Sequence, residues 1–228
     1  VVPRFDDPSY YVNRELSMLE FHSRVMELAL DARIPLLERL RFLCISSTIL
    51  DEFFEIRVGG LKEQAAFGLS RTGPDGLGPQ ETVARTRERV LTLVKEQYRV
   101  LNEEILPALG EEGVVIYPRG DLDERQQEWI HEYFHREVRP VLTPVGLDPA
   151  HPFPRILNKS LNYLVQIDGK DAFGRKSRAA VIQAPRVLPR LIPVPRELCD
   201  VPYGFVLLTA VIHHNIAELF PGMKVRGC

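Results

Sequence analysis

His131 and His135 stand four residues apart, a spacing that puts two imidazoles on one face of a helix and could hold a metal ion. Glu132 lies between them, so HEYFH has the letters of an HExxH pattern; no metal is nonetheless expected, and the pair reads as solvated helix surface. His22 reads the same way, among charged neighbours. His213 and His214 are adjacent near the end of the chain without an evident catalytic partner, and His151 sits in the turn-forming HPFP segment. Asp51 and Glu52 are paired carboxylates that could serve acid–base chemistry. At a helix start they are better explained by capping and by the helix dipole. Arg57 and Lys62 could face an anionic ligand or support a solvated helix through i,i+4 charge pairs. Three cysteines, Cys44, Cys199 and Cys228, lie far apart in odd number, which argues against a disulfide framework and for a reducing compartment.

The elements that must position these residues read as helical in the first half. Asn13 is a good N-cap for a helix buried through Leu16, Leu19, Val25, Met26 and Ala29. Pro35 suits the first turn of a second helix carrying Leu36, Leu37, Leu40 and Leu43. Ser46-Ser47-Thr48 is expected to interrupt it, and Thr48 with Asp51 resembles a capping box that starts a third helix near Ile49. Phe54, Val58, Leu61 and Ala65 follow at helical spacing, and Phe53 and Phe54 read as core. Residues 68–80, rich in Gly and Pro, read as an exposed connector. A long helix is predicted from Glu81 to Leu109, ending at Gly110 or Gly113.

Beyond Glu112 the pattern changes. Val114 to Tyr117 reads as a strand. Asp121 with Glu124 marks a helix start, followed by Trp129, Ile130, Tyr133, Phe134 and Val138. LNYLVQI and AAVIQAP have strand character, while RVLPRLIPVP carries too many prolines for a central strand. FVLLTAVIHHNIAELF is predicted as a helix stopped by Pro221-Gly222. The expected organisation is a helical domain, 1–112, then an α+β domain, 113–228, incomplete at its C-terminal end.

A net charge of -2 gives no pull toward nucleic acid, and no apolar run of membrane-spanning length occurs. No signal peptide is expected from the polar, proline-bearing opening. The absent initiator Met and the ending KVRGC, within a new extended segment, read as a piece of a longer protein.

Four segments carry the argument further. YVNRELSMLEF, RIPLLERLRFLCISSTILDEFFEIRVGGLKEQ, LTPVGLDPAHPFPRILNKSLNY and FVLLTAVIHHNIAELFPG occur in order and resemble the long-chain, phosphohistidine polyphosphate kinases. The resemblance covers nearly the whole chain. It implies a helical N-terminal bundle, an α+β head domain used in dimerisation, and truncation before two phospholipase-D-like catalytic domains.

The activity it implies is reversible transfer of the ATP γ-phosphate to inorganic polyphosphate through a phosphohistidine, assisted by Mg2+. The catalytic histidine is then expected beyond Cys228, and residues 1–228 alone are expected to be inactive. The family position that contacts adenine is usually Asn; here it is Ile49, which offers apolar contact but no hydrogen bond. The departure fits either tolerance or altered nucleotide use, and a helix-start residue packed in its own domain is the plain alternative. Arg57 and Lys62 match basic positions of the motif and imply polyphosphate contact. The resemblance further implies a homo-oligomer, dimer or tetramer, in the cytoplasm, with peripheral association at the inner membrane face left open. A non-catalytic paralogue, kept as an interaction or dimerisation module, is the competing interpretation.

Overall fold

The computed structural model describes residues 5–68, 72–148, 152–169 and 178–228. The chain divides into two compact units, Val1–Glu112 and Gly113–Cys228. No helix among the described residues is long and apolar enough to cross a membrane.

Unit 1 is helical. Helix α1 (Arg14–Leu30) starts where Asn13 accepts hydrogen bonds from the backbone N–H of Glu15 and Leu16. Its buried face is Leu19, His22, Met26 and Ala29, so Leu16 and Val25 sit at the edge of that face rather than within it. Helix α2 (Leu36–Phe53) runs unbroken through Ser46-Ser47-Thr48, against the expected interruption. The hydroxyls are satisfied without leaving the helix. Thr48 Oγ1 donates to the Cys44 carbonyl at 2.9 Å, and Ser46, fully buried, accepts from Gln97 Nε2 at 2.9 Å. Ile49 and Asp51 therefore lie in the last turns of α2 and cap nothing.

A π-helical segment (Phe54–Val58) joins α2 to α3 (Gly59–Ala66). The buried stripe of α2 steps through Leu43, Ser46, Leu50 and Phe53, then jumps five residues to Val58. An i+5 step is what a π turn accommodates, since the wider ring keeps the stripe facing inward. It also corrects the phase of the predicted face: Phe53 is core and Phe54 is 40% exposed. The long helix repeats the device. Helix α4 (Pro79–Arg99) passes through a π segment (Val100–Ile105) into α5 (Leu106–Glu111), and Val100 and Ile105 are both fully buried. Gly113, at φ 76°, follows its end.

Unit 2 holds two sheets. Strand β1 (Val114–Tyr117) pairs in parallel with β6 (Tyr203–Leu207), which pairs antiparallel with β5 (Leu191–Pro193). The four-stranded antiparallel sheet has the order β2 (Pro144–Gly146), β4 (Ala179–Gln183), β3 (Asn162–Gly169), β7 (Met223–Gly227). Proline-bearing β5 is an edge strand, where a missing N–H costs no ladder bond. Helix α6 (Glu124–Tyr133) begins at Asp123 with a reciprocal capping box to Gln126, two residues later than predicted. It continues as a π segment (Phe134–Val138), and Ile130, Phe134 and Val138 are fully buried.

The predicted helix at FVLLTAVIHHNIAELF is corrected. Phe205 to Leu207 belong to the central strand β6, and only then does α7 (Leu208–His214) begin, followed by a 3₁₀ turn (Ile216–Leu219). Pairing on both edges of β6 outweighs a helical propensity that apolar β-formers never strongly supported. Gly204 is required there: a Cβ would stand 2.5 Å from Cys199 Sγ and 2.7 Å from Tyr117 Cε2.

The buried Ser46–Gln97 bond gives a stability test. Ser46→Ala strands the Gln97 amide and is expected to lower the unfolding free energy in urea by about 1–3 kcal/mol. Adding Gln97→Leu is expected to recover part of that loss, because no donor then lacks a partner.

Candidate functional site

Unit 1 carries a cleft of about 890 Å³, walled by the approach to α1, the π segment with the start of α3, and the loop before α4. Asn13 organises one wall. Its Oδ1 caps α1, and its Nδ2 donates at 2.5 Å to Asp75, 62 residues away. Asp75 sits in a turn in which Gly76 N–H donates to the Gly73 carbonyl and Gly73 N–H to the Leu77 carbonyl. The described part of the 68–80 segment is thus pinned to the cleft wall, which the connector expectation missed; the signal was only the Gly-Pro-Asp-Gly turn chemistry.

Arg57 lines this cleft from the π segment. It takes no ion-pair partner among the described residues, whereas Arg14 pairs with Glu15 at 3.1 Å. Gly60, one turn on, keeps the floor open: a Cβ there would meet nothing within 4 Å. A half-buried guanidinium with no ion pair among the described residues can hold an anionic oxygen, against the opposing charge of Glu15 and Asp75 on the same cleft walls. Of the other two site residues named from sequence, neither lines the cleft. Ile49 is half-buried on α2, and Lys62 is exposed on α3. The helix-start geometry expected around Ile49 is absent, because α2 is continuous through it.

The histidines divide. His22, expected at the surface, is 2% exposed, with its ring edge-on to Phe53 at 5.6 Å and its Nδ1 unpartnered. In unit 2, His131 Nδ1 lies 3.1 Å and His135 Nε2 2.6 Å from the Glu218 carboxylate, so both are engaged and not merely solvated. His213 is half-buried and His214 exposed. His151 lies outside the described residues.

Residues 11–117 match the family model of the polyphosphate kinase N-terminal domain, and residues 125–228 match that of the polyphosphate kinase middle domain. The chain belongs to the polyphosphate kinase family and carries those two domains. Polyphosphate kinase of Neisseria meningitidis serogroup B is 51% identical over 215 residues, 94% of this chain and 31% of that protein. Polyphosphate kinase of Pseudomonas syringae pv. tomato is 50% identical over 228 residues, all of this chain and again 31% of the relative. The crystal structure of polyphosphate kinase from Porphyromonas gingivalis superposes with a TM-score of 0.78 at 27% identity, covering 94% of this chain and 31% of that one. The chain thus spans about a third of the length of the relatives it matches. Like the sequence expectation, the fold is a helical N-terminal part followed by a sheet-containing head domain.

Burial lowers the pKa of His22 below the usual imidazole value. The unfolded chain therefore takes up the proton first, and unit 1 loses stability as pH falls through about 6.5 toward the depressed folded value. His22→Leu, which fills a similar space without titrating, is expected to flatten this dependence. Urea unfolding near pH 7.5 and pH 5.5 measures it: native protein should lose more stability between the two than the variant.

Proposed function

We propose that this chain is the N-terminal and head part of an enzyme that reversibly transfers the γ-phosphate of ATP to inorganic polyphosphate through a phosphohistidine, with Mg2+ assisting. The observation that carries this is identity of about half the residues, over nearly the whole chain, to proteins named polyphosphate kinase. A phosphohistidine mechanism needs an imidazole nucleophile with cations around the phosphoryl group. We assign that machinery to sequence beyond Cys228 and assign residues 1–228 a supporting role without activity of their own.

In this proposal Arg57 offsets the charge of a phosphate chain at the unit 1 cleft. Its support is its position on the cleft wall and the absence of an ion pair to it among the described residues. Lys62, exposed on the following helix, adds a weaker, solvent-screened attraction. Ile49 stands at the adenine position of the family and offers the base an apolar face. The head domain serves homo-oligomer formation, and the intact enzyme works in the cytoplasm. Because Ile49 cannot hydrogen-bond adenine, a second possibility is a paralogue that keeps only the interaction surface.

Polyphosphate synthesis from ATP by the whole protein that carries this chain decides between them. The native protein is expected to be active, and Ile49→Asn to lower the apparent KM for ATP by about two- to tenfold, the worth of one hydrogen bond. An inactive native protein that Ile49→Asn fails to rescue would leave the interaction module. Arg57→Ala is expected to raise the apparent KM for polyphosphate by about tenfold, an effect that shrinks at high salt; unchanged primer dependence would remove Arg57 from the polyphosphate path.

A further inference from the structure

Glu218 stands at the meeting point of both imidazoles of the i,i+4 pair. His131 projects from α6 and His135 from the π segment that continues it, on the same face of one helical rod. The 3₁₀ turn brings Glu218 between them, Oε1 at 3.1 Å from His131 Nδ1 and Oε2 at 2.6 Å from His135 Nε2. The two rings meet edge to face with centroids 4.6 Å apart. One ligand atom from each of the three residues lies within 4.8 Å of the others.

A fourth polar group points at the same corner. Asn215 is 2% exposed, and its Nδ2 donates to the Val211 carbonyl at 2.9 Å. That bond fixes which end of the amide is oxygen. The oxygen, Oδ1, lies 3.0 Å from His131 Nδ1. A neutral His131 has at most one proton at Nδ1, yet a carboxylate oxygen and a buried amide oxygen both face it. Two nitrogens and three oxygens thus converge with fewer protons than acceptors, an arrangement that a cation completes.

We propose that His131, His135 and Glu218 form a binding site for a borderline divalent metal such as zinc, with Asn215 Oδ1 or a water as the fourth ligand. Zinc bonds of about 2.0–2.2 Å place tetrahedral ligand atoms roughly 3.3–3.5 Å apart. The contacts of 3.1 and 2.6 Å have to open by roughly 0.2–0.9 Å to reach that spacing, and any separation near the 4.8 Å limit has to close, which rotation of the carboxylate and imidazoles supplies. Histidine nitrogen with carboxylate oxygen suits zinc better than calcium or magnesium, which favour all-oxygen shells. The supports are rigid: Ile130, Phe134 and Val138 anchor the helical rod, and Ile216 and Phe220 bracket the 3₁₀ turn within the same core.

Arg139 is the opposing charge, 3.2 Å from His135 Nδ1. Without metal it donates to Nδ1, leaving the Nε2 proton for Glu218. Metal at Nε2 moves that proton to Nδ1 and turns the exposed Arg139 outward to solvent. The bound ion would tie α6 to the 3₁₀ turn across 83 residues of sequence and stabilise unit 2 by binding only the folded form.

Calorimetry of the full chain with zinc chloride at neutral pH tests this, with visible absorption of added Co2+ reporting coordination geometry. One ion per chain is expected, weakened at least about tenfold in each of His131→Ala, His135→Ala and Glu218→Gln, and unchanged in His213→Ala. His135→Gln can still donate to Glu218 but has no metal-binding nitrogen, so loss of zinc binding in that variant, with circular dichroism unaltered, separates ligation from folding. No zinc uptake by the native chain, or uptake undiminished in the His131→Ala/His135→Ala double variant, would overturn the site.

Discussion

Unit 1 depends on keeping the backbone ladder of α2 intact across Ser46-Ser47-Thr48. Hydroxyl side chains at three successive positions offer the backbone competing hydrogen bonds, and a break there would split the rod into two short helices. The competition is resolved by giving two of the hydroxyls partners that leave the backbone ladder intact. Thr48 turns back to a carbonyl of its own helix, and Ser46 accepts from Gln97 of α4 inside the core. A buried polar pair of this kind adds little net stability but is costly to leave half-made, so it fixes one register of α2 against α4. The apolar residues on the same stripe, Leu43, Leu50 and Phe53, could slide by a turn with smaller loss.

That register sets where the chemistry-bearing residues stand. With α2 continuous, the five-residue step from Phe53 to Val58 has to be absorbed just beyond its end, and the π turn absorbs it. The wider turn keeps Val58 inward and places Arg57 beside it on the cleft wall. Gly59 and Gly60 follow, and the open space at Gly60 belongs to the same cleft. Asn13 closes the arrangement from the other side by capping α1 and holding Asp75 with the same side chain. Cleft geometry, helix capping and loop placement are therefore coupled through very few atoms.

Much of this was legible in the residues, and the misses share a cause. Asn13 announced its helix because capping is local. The proline content of residues 186–195 argued against a central strand because a missing N–H is local too. The strand at Tyr203–Leu207 was not legible, since an apolar run suits either period until its neighbours are known, and each residue of β1 lies 89 residues upstream of its partner. The unbroken α2 was hidden for the same reason: Ser46 looks like a breaker until Gln97 is brought to it. The i+5 steps at Phe53–Val58 and Val100–Ile105 were visible in principle, but a search for i+3 and i+4 spacing passes over them.

The histidine pair of unit 2 shows what spacing alone omits. Two imidazoles at i,i+4 specify a face but not what stands opposite it, and on a solvated face they would do nothing. The deciding groups come from the other end of the unit. Asn215 closes α7 by donating to Val211, its own carbonyl accepts from Glu218 N–H, and the 3₁₀ turn so started carries Glu218 to the imidazoles. The same strand-to-helix switch after Leu207 that defeated the helical expectation shortens α7 to seven residues and lets the turn form. Had the whole segment been one helix, Asn215 and Glu218 would have shared a face three residues apart, and the tight turn that brings both oxygens to the imidazoles would be absent. The convergence of donors at this corner is thus a consequence of the pairing that makes β6 a central strand.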